Sequence, residues 1–143
     1  MSNISARNRF PGTIDKVETG PVNAQVELTL AGGDRIVAIV THESVDNLGL
    51  VPGMAATAFV KASWVLLLAG HEKIRFSARN HLPGTVESVK KGEVNSEVAV
   101  KLAGGALAYA VVTNEAVLEL GLKPGAPASV LFKASHVILG VPG

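Results

Sequence analysis

Residues 22–41 read VNAQVELTLAGGDRIVAIVT, and residues 94–113 read VNSEVAVKLAGGALAYAVVT. In the first stretch Val22, Ala24, Val26, Leu28 and Leu30 alternate with other residues. That is the period of a strand with one face buried. Ala31-Gly32-Gly33-Asp34 follows as a hairpin turn, and residues 36–40 return as the next strand. Thr41 then caps a short helix running through Leu48, and Gly49 stops it. Upstream, residues 9–17 read as a strand. Pro11-Gly12 there points to a bulge or sharp curl, because Pro donates no hydrogen bond and Gly tolerates unusual φ. Residues 18–21 form a turn. Downstream, Pro52-Gly53 makes another turn, and strands over 55–60 and 65–68 flank Lys61-Ala62-Ser63. The order is three strands, a helix and two strands, the order of a five-stranded OB-type barrel.

The second stretch belongs to a complete second copy. Setting Ser5 over Ser77 aligns residues 5–71 with 77–143 without a gap. Ser-Ala-Arg-Asn, Pro-Gly-Thr, Val-Asn, Ala-Gly-Gly, Val-Thr, Leu-Gly-Leu, Pro-Gly and Lys-Ala-Ser recur in register, and roughly half of the aligned positions are identical. The expected fold is all-β: two tandem OB-like five-stranded barrels, each with a short helix after its third strand. The expected modules are 1–71 and 72–143, joined by a short charged segment at His71-Glu72-Lys73. A module of about 70 residues is near the lower limit for a self-sufficient core, and no cysteine is present to staple it. Packing of the copies on each other, or oligomerisation, is the expected remedy.

Composition narrows the function. Hydrophobic residues make up 48% and aromatics 4%, so Val, Leu, Ile and Ala build the core. Thirteen basic and twelve acidic residues give a net charge of +1, which argues against a non-specific nucleic-acid binder. Without cysteine there is no thiol catalysis, zinc ribbon or iron–sulfur site. Residues 1–9 are polar and show no secretory pattern, and no apolar run nears the ~18 residues of a membrane span. The expected setting is cytoplasmic, with no membrane partner.

The polar positions kept by both copies carry the chemistry. Ser and Arg at 5 and 7, and again at 77 and 79, are spaced to share one face of an extended chain. Lys61 and Ser63 have the same spacing, as do Lys133 and Ser135. Thr41 and Thr113 precede helices, with Ser44 following in the first copy only. Isolated Arg and Lys residues are usually solvated surface charges, and Ser and Thr near turns usually cap backbone. Joint retention in both copies favours a binding role. Arg, Lys and hydroxyls with no carboxylate pair suit a small oxyanion. Glu43 and Glu115 are shared, but a first-turn acid beside a helix dipole is a structural feature. The histidines are not shared: His42, His71, His81 and His136 face Asn114, Gly143, Arg9 and Trp64. A repeated metal site is therefore not expected, nor any directly coordinated cation. No Ser-His-Asp spacing recurs, so no enzyme is expected. Gly32-Gly33 is not a phosphate loop, since no Lys-Ser/Thr follows it.

Taken together, Ser-Ala-Arg-Asn, Gly-x-Val-Asn-[Ala/Ser]-[Gln/Glu]-Val, Val-Thr, Leu-Gly-Leu-x-Pro-Gly and Lys-Ala-Ser-x-Val resemble the molbindin (Mop) family. The doubled arrangement resembles its two-domain cytoplasmic molybdate-binding members. The resemblance covers nearly the whole chain and implies an OB-like fold that binds molybdate or tungstate for storage, buffering or delivery, with no further cofactor. It also implies a homotrimer, a pseudo-hexamer of modules, with oxyanions between modules. Carried over, one kind of site uses Ser5, Arg7, Thr41, Ser44, Lys61 and Ser63, and Ser77, Arg79, Thr113, Lys133 and Ser135. A second kind, near the ring axis, uses Val22 and Asn23, or Val94 and Asn95. Ala116 departs from the pattern where Ser44 stands, and His136 where Trp64 stands. The alternatives are an oxyanion-responsive sensor acting through a partner, and an OB-fold oligonucleotide binder. The latter needs stacking aromatics, and no aromatic position is shared by the copies.

Overall fold

A computed structural model describes residues 4–70 and 74–143. The charged joint His71-Glu72-Lys73 lies outside the described residues. The first copy runs β1 (Asn8–Thr19), β2 (Asn23–Leu30), β3 (Arg35–Thr41), α1 (His42–Leu48), β4 (Ala55–Val60), a 3-10 turn (Ala62–Trp64) and β5 (Leu66–Ala69). The second runs β6 (Asn80–Lys91), β7 (Asn95–Leu102), β8 (Leu107–Thr113), α2 (Asn114–Leu120), β9 (Pro127–Phe132), a 3-10 turn (Ala134–His136) and β10 (Ile138–Gly140). The expected all-β class with a helix after each third strand is what forms. In β2 the alternation has its predicted consequence: Ala24, Val26, Leu28 and Leu30 are buried. Thr41 and Thr113 cap their helices, and Gly49 and Gly121 end them at φ of +64° and +63°.

All ten strands form two antiparallel five-stranded sheets, ordered β10-β4-β1-β2-β3 and β5-β9-β6-β7-β8, each curled into a half-barrel. The fifth strand of each sheet comes from the other copy. β5 pairs with β9, placing Leu67 opposite Val130, and β10 pairs with β4, placing Leu139 opposite Ala58. The copies are therefore interlocked by exchanged strands. Their buried side chains form one core, running from Phe10, Ile14 and Val26 to Val98, Val130 and Phe132. This is how two short modules without disulfides gain a sufficient core.

The curl of β1 arises differently from the sequence expectation. The register shift lies between Ile14 and Lys16, and its copy between Val86 and Ser88, not at Pro11-Gly12. Pro11 stays in register opposite Thr57. Gly12 is needed because β1 there is paired on both sides, with Leu30 and with Ala56. An added Cβ would stand 2.7 Å from the Thr29 carbonyl oxygen.

Two further contacts tie the copies. β3 and β8 are sheet edges, whose free backbone groups need partners. Asn80, fully buried, donates from Nδ2 to the Val37 carbonyl at 2.8 Å and accepts the Val37 N–H at 2.8 Å. Asn8 does the same to Tyr109 at 2.8 and 2.6 Å. At the hairpins, the backbones of Gly32 and Gly104 touch, and Asp34 Oδ2 accepts the Gly104 N–H at 3.0 Å.

Candidate functional site

The site begins where strands β6 and β9 end together. Asn80 pairs with Phe132, so the next residues outward, Arg79 and Lys133, lie side by side. The Ala134–His136 turn then carries Ser135 away from its own sheet and onto β3 of the first copy. The result is a cleft of about 580 Å³ lined by Ser77, Arg79, Lys133 and Ser135, with Ile39 of β3 and Leu67 of β5 in its walls. A second cleft, of about 340 Å³, contains Asn23, Thr41 and Ser44 together with the same Ile39 and Ser135. The two clefts share Ile39 and Ser135 as a common wall, which marks the seam between the copies. Of the residues expected from sequence, Ser77, Arg79, Lys133 and Ser135 of the second copy line the larger cleft, and Asn23, Thr41 and Ser44 of the first line the smaller one beside Ser135. Each copy supplies half, because the strand exchange lays each Lys-Ala-Ser turn on the other copy's third strand.

The pseudo-symmetric seam joins Arg7, Lys61 and Ser63 of the first copy to β8, which ends at Thr113. Asn8 pairs with Val60, bringing Arg7 beside Lys61. Ser5 is exposed on the approach to this strand. Ala116 occupies the place of Ser44, so one hydroxyl is missing. At the first seam the Thr41 hydroxyl accepts the Ser44 N–H at 3.1 Å and lies 2.8 Å from the Ser44 hydroxyl. Both hydroxyls are held in place, and the Ser44 oxygen is exposed alongside.

The two arginines have different neighbours. Arg79 Nη1 donates to the neutral Gln25 Oε1 at 2.9 Å. Arg7 donates from Nε and Nη2 to both carboxylate oxygens of Glu97, at 3.1 and 3.3 Å. Its guanidinium also lies 3.8 Å from the centroid of Tyr109, over the ring face. The Glu97 hydrogen bond and charge, with help from Tyr109, hold the Arg7 guanidinium above its ordinary value.

The valines of the Val-Asn segments lie outside both clefts, while Asn23 lines the smaller one. Val22 and Val94 are 72% and 71% exposed at the entry to β2 and β7. Their carbonyls accept the His42 and Asn114 N–H groups. Asn23 faces Thr41 across the ladder and lines the smaller cleft, while Asn95 faces Thr113. Val22 and Val94 contribute no wall to either cleft.

Sequence reasoning missed three features. Asn8 and Asn80 were visible as a shared residue, yet nothing in one strand reveals a partner on another copy. Gln25 and Glu97 are aligned and differ in charge, which signalled an asymmetry of the two seams. Tyr109, aligned with Val37, was a further sign. Of the histidines, His136 stacks on Trp64 with ring centroids 4.7 Å apart. Among the described residues no three His, Asp or Glu side chains gather as a metal cluster.

Known proteins share this arrangement. The TOBE domain model matches residues 4–67 and again 77–139. A crystal structure of the cytoplasmic molybdate-binding protein ModG, in a form with molybdate bound, superposes with a TM-score of 0.94 at 52% identity. The match covers 99% of this chain and all of that one. The molybdenum-pterin-binding protein MopA of Rhodobacter capsulatus is 44% identical over 96% of this chain. The molybdenum transport protein ModE of Herbaspirillum seropedicae is 42% identical over 96% of it. The chain spans about half the length of these last two, 52% and 51%. With both copies of the domain matched in tandem and the fold superposed over its full length, this chain belongs to the TOBE-domain (Mop) family.

Proposed function

We infer that the chain binds molybdate or tungstate as cargo, storing, buffering or delivering it without catalysis. The observation that carries this reading is the seam. There Arg79 and Lys133 supply positive charge, and Ser77, Ser135, Thr41 and Ser44 supply neutral donors, with no carboxylate in the cleft lining. Each charge-assisted hydrogen bond to a tetrahedral dianion contributes roughly 1.5–3 kcal/mol. Several are needed to offset stripping the ion of water. A full-length relative at 52% identity holds molybdate, which supports the same ligand here.

The reading includes assembly as a homotrimer, with the Val-Asn segments forming a second kind of site near its axis. Its support is apolar surface kept exposed at matching positions of both copies. Val22 and Val94 are one such pair, and Leu66 and Ile138, 64% and 59% exposed, another. Exposed apolar positions held in common mark a surface to be covered.

Equilibrium dialysis against labelled molybdate tests the binding claim. The wild-type chain is expected to take up molybdate that a variant with Arg7, Arg79, Lys61 and Lys133 all changed to alanine does not. Equal retention by both defeats it.

A second reading is an oxyanion sensor. It is favoured by the ModE relatives, one of them a transcriptional regulator of Yersinia pestis, 37% identical over 94% of this chain and about twice its length. A separate protein partner whose association with this chain depends on molybdate would support it, and association that ignores molybdate would favour storage.

A further inference from the structure

We propose that the two seams are unequal by construction: the Arg79 seam is the high-affinity site, and Glu97 acts as a built-in competitor that attenuates the Arg7 seam. The proposal rests on the oxyanion reading above. Three aligned differences carry it, and all point the same way. Where the Arg79 guanidinium meets neutral Gln25, that of Arg7 is held by both oxygens of Glu97. Arg7 is also stacked on Tyr109, a position at which the other copy has the aliphatic Val37. Where Ser44 adds a hydroxyl beside Thr41, Ala116 adds none beside Thr113.

The physical consequences follow directly. A dianion approaching Arg79 replaces a neutral amide as its partner. A dianion approaching Arg7 finds two of the five guanidinium N–H donors already given to a carboxylate, and must displace that carboxylate or lie beside it as a like charge. Arg7 and Glu97 are half- and one-third exposed, so salt screens part of this competition. The missing hydroxyl at Ala116 is not screened. One hydrogen bond to a charged ligand accounts for a factor on the order of 10–100 in affinity. Glu97 is thus a specificity-determining residue. It keeps one seam in reserve until the ion is abundant, and widens the concentration range over which the chain buffers.

Isothermal titration of the wild-type chain with sodium molybdate at low ionic strength tests this. Two classes of seam site are expected, separated by at least about tenfold in Kd. The Arg79→Gln variant is expected to lose the tight class and keep the weak one. The double variant Glu97→Gln with Ala116→Ser is expected to gain affinity in the weak class and bring the two together. A gain cannot result from misfolding. Seam sites of equal affinity, or a double variant whose weak class does not tighten, overturn the inequality while leaving the oxyanion reading intact. No heat and no uptake from molybdate by the wild-type chain overturns both.

Discussion

At the scale of single residues, the firmest links between the copies are two asparagine side chains. Asn80 satisfies both the N–H and the carbonyl of Val37 inside the protein. Replacing it by alanine leaves two backbone groups without a partner, each costing roughly 1–3 kcal/mol. The Asn80→Ala variant is therefore expected to lose at least about 2 kcal/mol in urea unfolding, far more than an exposed substitution such as Glu43→Ala. The Arg7–Glu97 pair belongs to another class. It raises the Arg7 guanidinium above its ordinary value, so the guanidinium stays charged through the neutral range and loses its proton only as pH climbs beyond that value. Molybdate binding at the Arg7 seam is accordingly expected to show no titration from this guanidinium between roughly pH 6 and 9; a dialysis series across that range checks it. The charged and hydroxyl residues of the seams were legible in the sequence because duplication provides an internal comparison. Their neighbours Gln25, Glu97 and Tyr109 were not, because the contacts that give them meaning join residues more than fifty positions apart.

At the scale of elements, β2 could be read from period-two alternation, the other strands from the turns that bound them, and both helices from a Thr cap and a Gly stop. Pro11-Gly12 misled because a Pro-Gly pair marks either a bulge or a close strand approach, and only the three-strand context at Gly12 separates them. The hairpins illustrate how a shared sequence feature can have an unshared cause. Ala-Gly-Gly reads as two independent turns, yet Gly32 and Gly104 meet backbone to backbone. Gly33, at φ +96°, has the ordinary turn requirement and open space around it. Gly32→Ala is thus expected to force the hairpins apart and lower the thermal midpoint. The loss of the Asp34–Gly104 hydrogen bond should be visible as faster amide exchange at Gly104. Unchanged exchange there would show that the hairpins do not depend on this contact.

At the scale of the whole molecule, the exchange of β5 and β10 is the feature no local pattern could reveal. The two strands are equivalent by descent, so either could complete either sheet with similar side chains. The connecting turn, which sends the chain across to the other copy's third strand, decides the outcome. The exchange also explains why Ser135 meets Thr41 and Ser44 rather than Thr113. Residues 1–71 expressed alone are expected to form a homodimer by the same exchange, since β4 would otherwise keep β1 on one side and present a bare edge on the other. Sedimentation showing a folded monomer would contradict this. The central claim is that seams between copies hold tetrahedral oxyanions in a trimer of two-module chains. Native mass spectrometry with molybdenum analysis, on protein equilibrated with molybdate, tests it most directly. The account predicts an assembly three times the 14.7 kDa chain mass, carrying molybdenum that is lost on replacing Arg79 and Lys133 by alanine. A monomer with no bound molybdenum would contradict it.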